Sequence, residues 1–195
     1  MQRTIRLAAI AAVSVLAMQL VGCAQLSMGQ PKPNIDTTAK LRGANMASAS
    51  LGAFTLEAGK PEGMDKSVSM RGANSVNSPV GGSFAQYLRE SLKVELEAAG
   101  LLDPGAATVI TGKLTGNDLD AAIGTGKGQL AARFQVQRAG QLRYDRELGV
   151  ESAWESSFMG AVAIPLAASN YEGLYRKLVA KLLDDADFRK AVSRE

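Results

Sequence analysis

The chain has 195 residues and a formal net charge of +3, a length that suffices for one domain with a buried core. It contains no histidine and a single cysteine, Cys23, so it lacks the usual general base and the commonest metal ligand, and it cannot form an intrachain disulfide. We therefore expect a protein that is not an enzyme and that holds no metal or cofactor.

Residues 1–22 have the layout of a secretory signal peptide. A basic start with Arg3 and Arg6 leads into an apolar run over residues 7–22, which is the order typical of such peptides. Ser14 and Gln19 interrupt the run, so it falls short of the roughly 18–20 apolar residues that a membrane-spanning helix needs. We expect this segment to be removed on export.

The end of the segment, Leu20-Val21-Gly22-Cys23, resembles the lipobox of bacterial lipoproteins. The resemblance implies that the signal peptidase recognises Leu20, Val21 and Gly22, and that it cuts before Cys23. It also implies that Cys23 then carries a diacylglycerol and a further acyl chain, and several chains anchor a protein durably. Ala24 follows where an aspartate would favour the inner membrane. The resemblance therefore implies a periplasm-facing protein of the outer membrane, with the inner membrane left open.

Beyond this leader the chain is nearly neutral. Of the 22 basic residues, Arg3 and Arg6 lie in the leader, which leaves 20 against 19 acidic residues. A neutral surface gives no electrostatic reason to bind nucleic acid. We expect the partners to be the membrane, through the lipid on Cys23, and an envelope protein or further copies of this chain.

Residues 23–48 are predicted to be the lipidated cysteine and a flexible tether. Residues 30–34 read QPKPN, and the whole stretch lacks a sustained apolar period. Such a sequence breaks regular structure and favours an extended chain near its prolines. The folded domain is then expected over residues 49–195.

The domain is predicted to begin with one strand, one loop and one helix. Residues 51–56 form a short apolar strand, and the glycine- and asparagine-rich residues 67–82 favour an irregular loop with a brief strand near Val68 and Met70. Ser83 and Gln86 have the spacing of a capping box. Apolar residues then recur every three or four positions as far as Gly100, which predicts an amphipathic helix.

Three strands and a second helix are predicted to follow. Two strands cover residues 108–114 and 129–138, and a return strand follows the turn at residues 139–140. Ser169 and Glu172 form a second capping box that starts the last helix. The acids at residues 184–187 break or restart that helix, because they oppose its negative end.

This order predicts an α+β domain with a single sheet of about four strands, in the order β-α-β-β-β-α, and two helices packed on one face. An arrangement of this kind behind a lipobox resembles the YajG-type family, the amino-terminal domain of TolB and CsgG-like domains, over residues 49–185. The resemblance implies an accessory of envelope assembly, export or transport that works by protein contact and offers no catalytic residues.

Two short motifs resemble ligand-binding sequences but lack residues or spacing that such sites need. Residues 124–128 read GTGKG, but the glycine and the Ser or Thr that a phosphate-binding loop needs are missing, so we expect a flexible loop between two strands. Asp118 and Asp120, with Asn117, lack the spacing of a calcium loop. The sequence therefore predicts no metal site here.

Trp154, Phe158 and Met159 lead into an apolar stretch that ends at Pro165. One interpretation is a buried connector before the last helix, since buried aromatic residues usually serve packing. The other is a contact surface for a partner, because Trp and Phe contribute much contact energy and Met adapts to irregular surfaces. We expect a non-catalytic scaffold or accessory. The alternative is a lipoprotein that binds a small ligand or lipid in a cleft between sheet and helices, as an accessory of a transporter.

Overall fold

The computed structural model of the chain describes residues 25–194. The strands are β1 (Gln25–Ser27), β2 (Ser50–Leu56), β3 (Ser67–Ser69), β4 (Ser75–Asn77), β5 (Thr108–Asp120), β6 (Gly124–Arg138) and β7 (Gln141–Ser156). The helices are α1 (Ile35–Gly43), α2 (Gly63–Lys66), α3 (Phe84–Ala99), α4 (Gly160–Asp184) and α5 (Ala186–Ala191).

The fold class is mixed α+β, as predicted, but the single sheet with two helices is wrong. The described residues form a four-stranded sheet in the order β2-β5-β6-β7, a second sheet in the order β1-β4-β3, and five helices. β3 confirms the brief strand predicted near Val68. β1 and β4 were not predicted, because strands of three residues are too short for an alternating pattern to show in the sequence.

The four predicted strands are confirmed as the large sheet, and they are longer than predicted. β2 lies parallel to β5, and the other neighbours are antiparallel. β6 and β7 join through Ala139 and Gly140, whose φ angles are both positive at 50° and 78°, as a tight hairpin turn requires. Residues 124–128 belong to β6, so the predicted flexible loop there is a strand instead.

The two long helices cover one face of the large sheet. Along β6, Leu130, Phe134 and Val136 are buried, whereas Gln129 and Arg133 on the opposite face are exposed. The helices bury the predicted apolar stripes against that face: Leu88, Leu92 and Leu96 from α3, and Leu174, Leu178 and Leu182 from α4. No helix of residues 25–194 covers the other, polar face.

Only one of the two hydrogen bonds of the capping box predicted at the start of α3 is present. The Ser83 hydroxyl accepts the Gln86 N–H at 3.2 Å, but the Gln86 side chain donates to the carbonyl of Phe54 at 2.7 Å. The second partner of Ser83 is the buried carboxylate of Asp65, which accepts its hydroxyl at 3.0 Å and the N–H of Ala85 at 2.7 Å. A negative group at a helix start also suits the helix dipole.

The last helix begins nine residues before the predicted start at Ser169. Met159 precedes its first residue, and Pro165 lies inside it. Proline usually marks a helix boundary because it removes one helical hydrogen bond. Pro165 therefore explains why the helix was predicted to start after it. The predicted break at the acids is confirmed, since Asp185 ends α4 and its side chain accepts the N–H groups of Asp187 and Phe188 at the start of α5.

The predicted tether over residues 23–48 is corrected from residue 25 onward, because this part is folded onto the domain. β1 pairs with β4, α1 packs against α3, and Leu41 and Met46 are buried. The sequence hides this because α1 has only one buried residue, Leu41, so no apolar period results. Asn34, the last residue of the proline-rich run, caps α1 by accepting the N–H groups of Asp36 and Thr37.

Candidate functional site

The predicted signal peptide and the lipidation residues Leu20, Val21, Gly22 and Cys23 lie outside the described residues. Their roles stay predictions. Within residues 25–194, no helix has the combined length and apolar character needed to cross a membrane.

The three predicted contact residues do not form one surface. Trp154 lies on β7 on the side of the helices, where it is half-buried. Its indole ring lies across Gly126, its neighbour on β6, so closely that a Cβ on Gly126 would overlap the ring. Phe158 and Met159 follow the strand and are 76% and 51% exposed. Trp154 therefore serves packing, and the exposed pair remains the candidate for contact.

Ile123 and Val162 extend this exposed pair into a larger surface. Ile123 is 70% exposed and Val162 is 50% exposed. Gly124 pairs with Ser156 across β6 and β7, which brings Ile123 to the same end of the sheet as Phe158. Val162 lies one turn along α4 from Met159. We call Ile123, Phe158, Met159 and Val162 the apolar tip.

Arg71 fixes the backbone on both sides of the apolar tip. Its guanidinium donates to the carbonyl of Ala121 at 2.5 Å and to the carbonyl of Ser157 at 3.1 Å. A third contact reaches the hydroxyl of Ser156 at 3.2 Å. Because the guanidinium is planar and rigid, one side chain holds the segments before Ile123 and before Phe158 in a set geometry.

The groove between α3 and α4 is occupied by the chain's own amino-terminal segment, residues 28–34. The carbonyl of Gly29 accepts the Tyr87 hydroxyl at 2.9 Å, and the Gly29 N–H donates to the carboxylate of Glu172. Further along, the N–H of Asn34 donates to Glu95 at 2.8 Å. The segment thus bridges both long helices.

Burial alters the titration of two groups in this groove. It raises the pKa of Glu95 above its ordinary value, against the opposing effect of the Asn34 N–H. Burial, reinforced by the charge of Glu172, raises the pKa of Tyr87 to about 12. A cavity of about 290 Å³ remains beside the segment, lined by Tyr87, Ser91, Glu95, Glu172, Tyr175 and Arg176, among others.

The other acidic groups do not gather into a binding site. Asp118 and Asp120 are exposed, and Asn117 lies apart from them on the buried side, where its Oδ1 accepts the Tyr171 hydroxyl at 2.6 Å. Near the carboxyl end, Arg146 pairs with Asp185 at 2.9 Å and with Asp187 at 2.6 Å. Residues 25–194 contain no group of three or more Asp, Glu, His or Cys side chains arranged to hold a metal ion.

Sequence reasoning missed three parts of this region. Ile123 is a single large apolar residue between Ala122 and Gly124, and only the strand register shows that it lies near Phe158. Arg71 lies in a predicted loop, where an arginine gives no signal of its contacts. The groove segment is missed because it contacts the helices mainly through backbone groups.

No protein-family model matches the sequence, and no curated protein matches it significantly. Among solved structures, the chain is similar to protein XCC0632 from Xanthomonas campestris, of the family DUF330. The TM-score is 0.59 and the identity 9%, over 86% of this chain and 96% of that one. A minor lipoprotein from Acinetobacter baumannii gives a TM-score of 0.46 and 15% identity, over 78% of this chain and 98% of that one.

At 9% identity, the likeness to the Xanthomonas protein concerns the fold alone. Neither likeness identifies the chain as a YajG-type, TolB or CsgG-like protein. That more specific resemblance is not confirmed and stays a prediction.

Proposed function

We propose that this protein is a bacterial lipoprotein, held by acyl chains on Cys23, that acts as a non-catalytic scaffold or accessory in envelope assembly or transport. The lipobox-like residues 20–23 directly after an apolar leader support the anchor. Ala24 supports the outer membrane, with the domain facing the periplasm.

The apolar tip is the observation that favours a role in surface contact over a role in chemistry, and the uncovered polar face of the large sheet is the surface open to a protein partner. Four apolar side chains, each at least half exposed, converge at one end of the large sheet. Exposed apolar surfaces of this kind mark contacts with proteins or membranes. Because Arg71 fixes the flanking backbone, the side chains of the tip are held in a defined geometry. A role in binding suits it better than a role in chemistry.

The ligand-binding alternative has weaker support. Such a protein needs an open cleft between the sheet and the helices or between the helices. Residues 28–34 occupy the groove between α3 and α4, and the cavity of about 290 Å³ that is left there has the charged side chains of Lys32, Glu95, Glu172 and Arg176 in its wall. A lipid that co-purifies with the full-length protein in stoichiometric amount would favour the alternative.

The anchor is tested with the full-length protein in bacterial cells. We expect the mass of the mature wild-type protein to include diacylglycerol and a further acyl chain, and the protein to fractionate with the outer membrane. The matched variant Cys23→Ser should lose both properties, although the domain of residues 25–194 is unchanged. A wild-type protein with a free thiol in the periplasmic fraction would refute the anchor.

The scaffold role is tested by photocrosslinking in the same cells. Gln129 and Glu151 are paired across β6 and β7 and lie on the uncovered polar face of the sheet. Photoreactive residues at these two positions should form reproducible crosslinks to an envelope protein or to a second copy. The scaffold role is refuted when these positions and the apolar tip all yield no crosslinked protein.

A further inference from the structure

The position of β1 limits how far the domain can stand from the membrane. Cys23 precedes Gln25 by two residues, and two residues span at most about 7 Å even when fully extended. Since β1 is already paired with β4 at Gln25, little chain is left between the predicted anchor and the folded domain. The end of the molecule at which β1 starts must therefore lie at the membrane surface.

The pairing of β1 shows that it starts at the end that carries the apolar tip. Gln25 pairs with Ser75, and Ser75 pairs with Ser69 on the far side. The loop between these last two residues contains Arg71, whose guanidinium contacts Ala121 and Ser157 beside the tip. The start of β1 thus lies two strands away from the segment that holds the tip in place.

The path of the following residues leads to the same conclusion independently. Gly29 contacts Glu172, which lies twelve residues after Gly160, the first residue of α4. At the rise of an α-helix, these twelve residues correspond to about 18 Å. Asn34 contacts Glu95, further from the tip along α3. The chain therefore runs away from the tip after Gly29. The chain from Gln25 to Gly29 makes four residue steps, which span about 13 Å in an extended strand. Traced back from Gly29 towards the tip, this distance places Gln25 near the first turns of α4.

From this geometry we infer that the apolar tip inserts into the lipid bilayer that holds the acyl chains of Cys23. The inference rests on the proposed lipid anchor and adds the orientation of the domain. Apolar side chains at a membrane surface are buried at the boundary between headgroups and acyl chains. Ile123, Phe158, Met159 and Val162 are exposed at the end where the anchor leaves the domain, and the bilayer covers them. The polar face of the large sheet stays free for protein partners.

The test places an environment-sensitive fluorophore on single introduced cysteines of the full-length, lipidated protein. The variants Ile123→Cys and Met159→Cys report on the tip. Ile35→Cys is the matched control, because Ile35 is also an exposed isoleucine, at 87%, and begins α1 beside Asn34 at the other end of the groove. The proteins are reconstituted into vesicles of phosphatidylethanolamine and phosphatidylglycerol that contain doxyl-labelled lipid.

We expect the Ile123 and Met159 fluorophores to emit at shorter wavelength and to be quenched several-fold more by the doxyl lipid than the Ile35 fluorophore. The Ile35 fluorophore should instead be quenched by iodide in the water. Tip fluorophores that iodide quenches as strongly as the control would overturn the inference and favour a protein as the partner of the tip. The parent protein, whose only cysteine is Cys23, should take no label. If it does, Cys23 is not acylated and the proposed anchor fails as well.

Discussion

At the scale of single residues, Arg71 joins the small sheet to the two chain segments that carry the apolar tip. Replacement by alanine removes the hydrogen bonds to Ala121, Ser156 and Ser157 together. We expect Arg71→Ala to lower the free energy of unfolding by about 1–3 kcal/mol and to speed amide exchange at residues 121–124 and 157–160. Urea unfolding and hydrogen-exchange mass spectrometry measure the two effects. Arg71→Lys keeps the charge without the planar fork and should recover only part. Unchanged exchange at the tip in the alanine variant would contradict this role.

Asn117 is a second residue on which separate elements depend. Its Oδ1 accepts the Tyr171 hydroxyl of α4, and its Nδ2 donates to the carbonyl of Met64 at 2.9 Å. Asn117→Leu has a similar size but removes both hydrogen bonds. The Met64 carbonyl loses this donor, and the Tyr171 hydroxyl keeps only its contact with the Tyr175 hydroxyl at 2.9 Å, so we expect a loss of about 1–3 kcal/mol in urea unfolding. The neighbouring control Asp118→Ala, at an exposed position, should change stability by no more than about 0.5 kcal/mol. Equal effects of the two variants would show that the buried contacts contribute little.

At the scale of elements, the pairing of β6 with β7 near the tip depends on a glycine opposite the tryptophan. A Cβ on Gly126 would overlap the Trp154 ring, so Gly126→Ala must displace it. We expect a loss of about 1–3 kcal/mol, as for other overpacked sites. We also expect a changed emission spectrum, since Trp154 is the only tryptophan. Gly149→Ala on β7 is the control, because its Cβ would meet Ala131 at an ordinary 3.6 Å. A normal spectrum for Gly126→Ala would refute the close contact.

Regular, amphipathic elements could be predicted from the sequence, and elements stabilised by backbone contacts could not. The strands at Thr108–Asp120 and Gly124–Arg138 bury alternate side chains, and that pattern is visible in the residues. β1 pairs through its backbone, and α1 buries only Leu41. Neither element therefore produces an apolar period from which it could be predicted. The same limit explains why the predicted tether and the single sheet needed correction.

At the scale of the whole molecule, the candidate site could be predicted only in part. The sequence shows that Phe158 and Met159 are apolar, but their exposure depends on the helix that begins at Gly160. Ile123 joins them through strand register, and the direction of residues 25–34 depends on contacts with α3 and α4. These relations are long-range in the chain, and they determine that the apolar tip and the start of β1 lie at the same end of the domain.

The packing of the helices on the large sheet should also be visible in alkaline titration. All four tyrosines of the chain have raised pKa values, chiefly because of burial: about 12 for Tyr87 and Tyr144, and well above 10 for Tyr171 and Tyr175. In the unfolded chain a tyrosine titrates near pH 10. The folded state therefore holds protons that the unfolded state releases, so stability is intact below about pH 10 and falls as the pH rises towards 12.

We expect the absorbance change of tyrosine ionisation to be absent near pH 10 and to coincide with loss of circular dichroism at higher pH. The two signals should share one midpoint, because the tyrosines ionise when the helices leave the sheet. Tyr144→Phe is the matched variant, since Tyr144 packs against Phe188 of α5 and stands apart from the other three. It should remove about a quarter of the absorbance change and leave the remainder coupled to unfolding. Tyrosines that ionise near pH 10 while the circular dichroism is still native would show that the groove between α3 and α4 opens to water without unfolding.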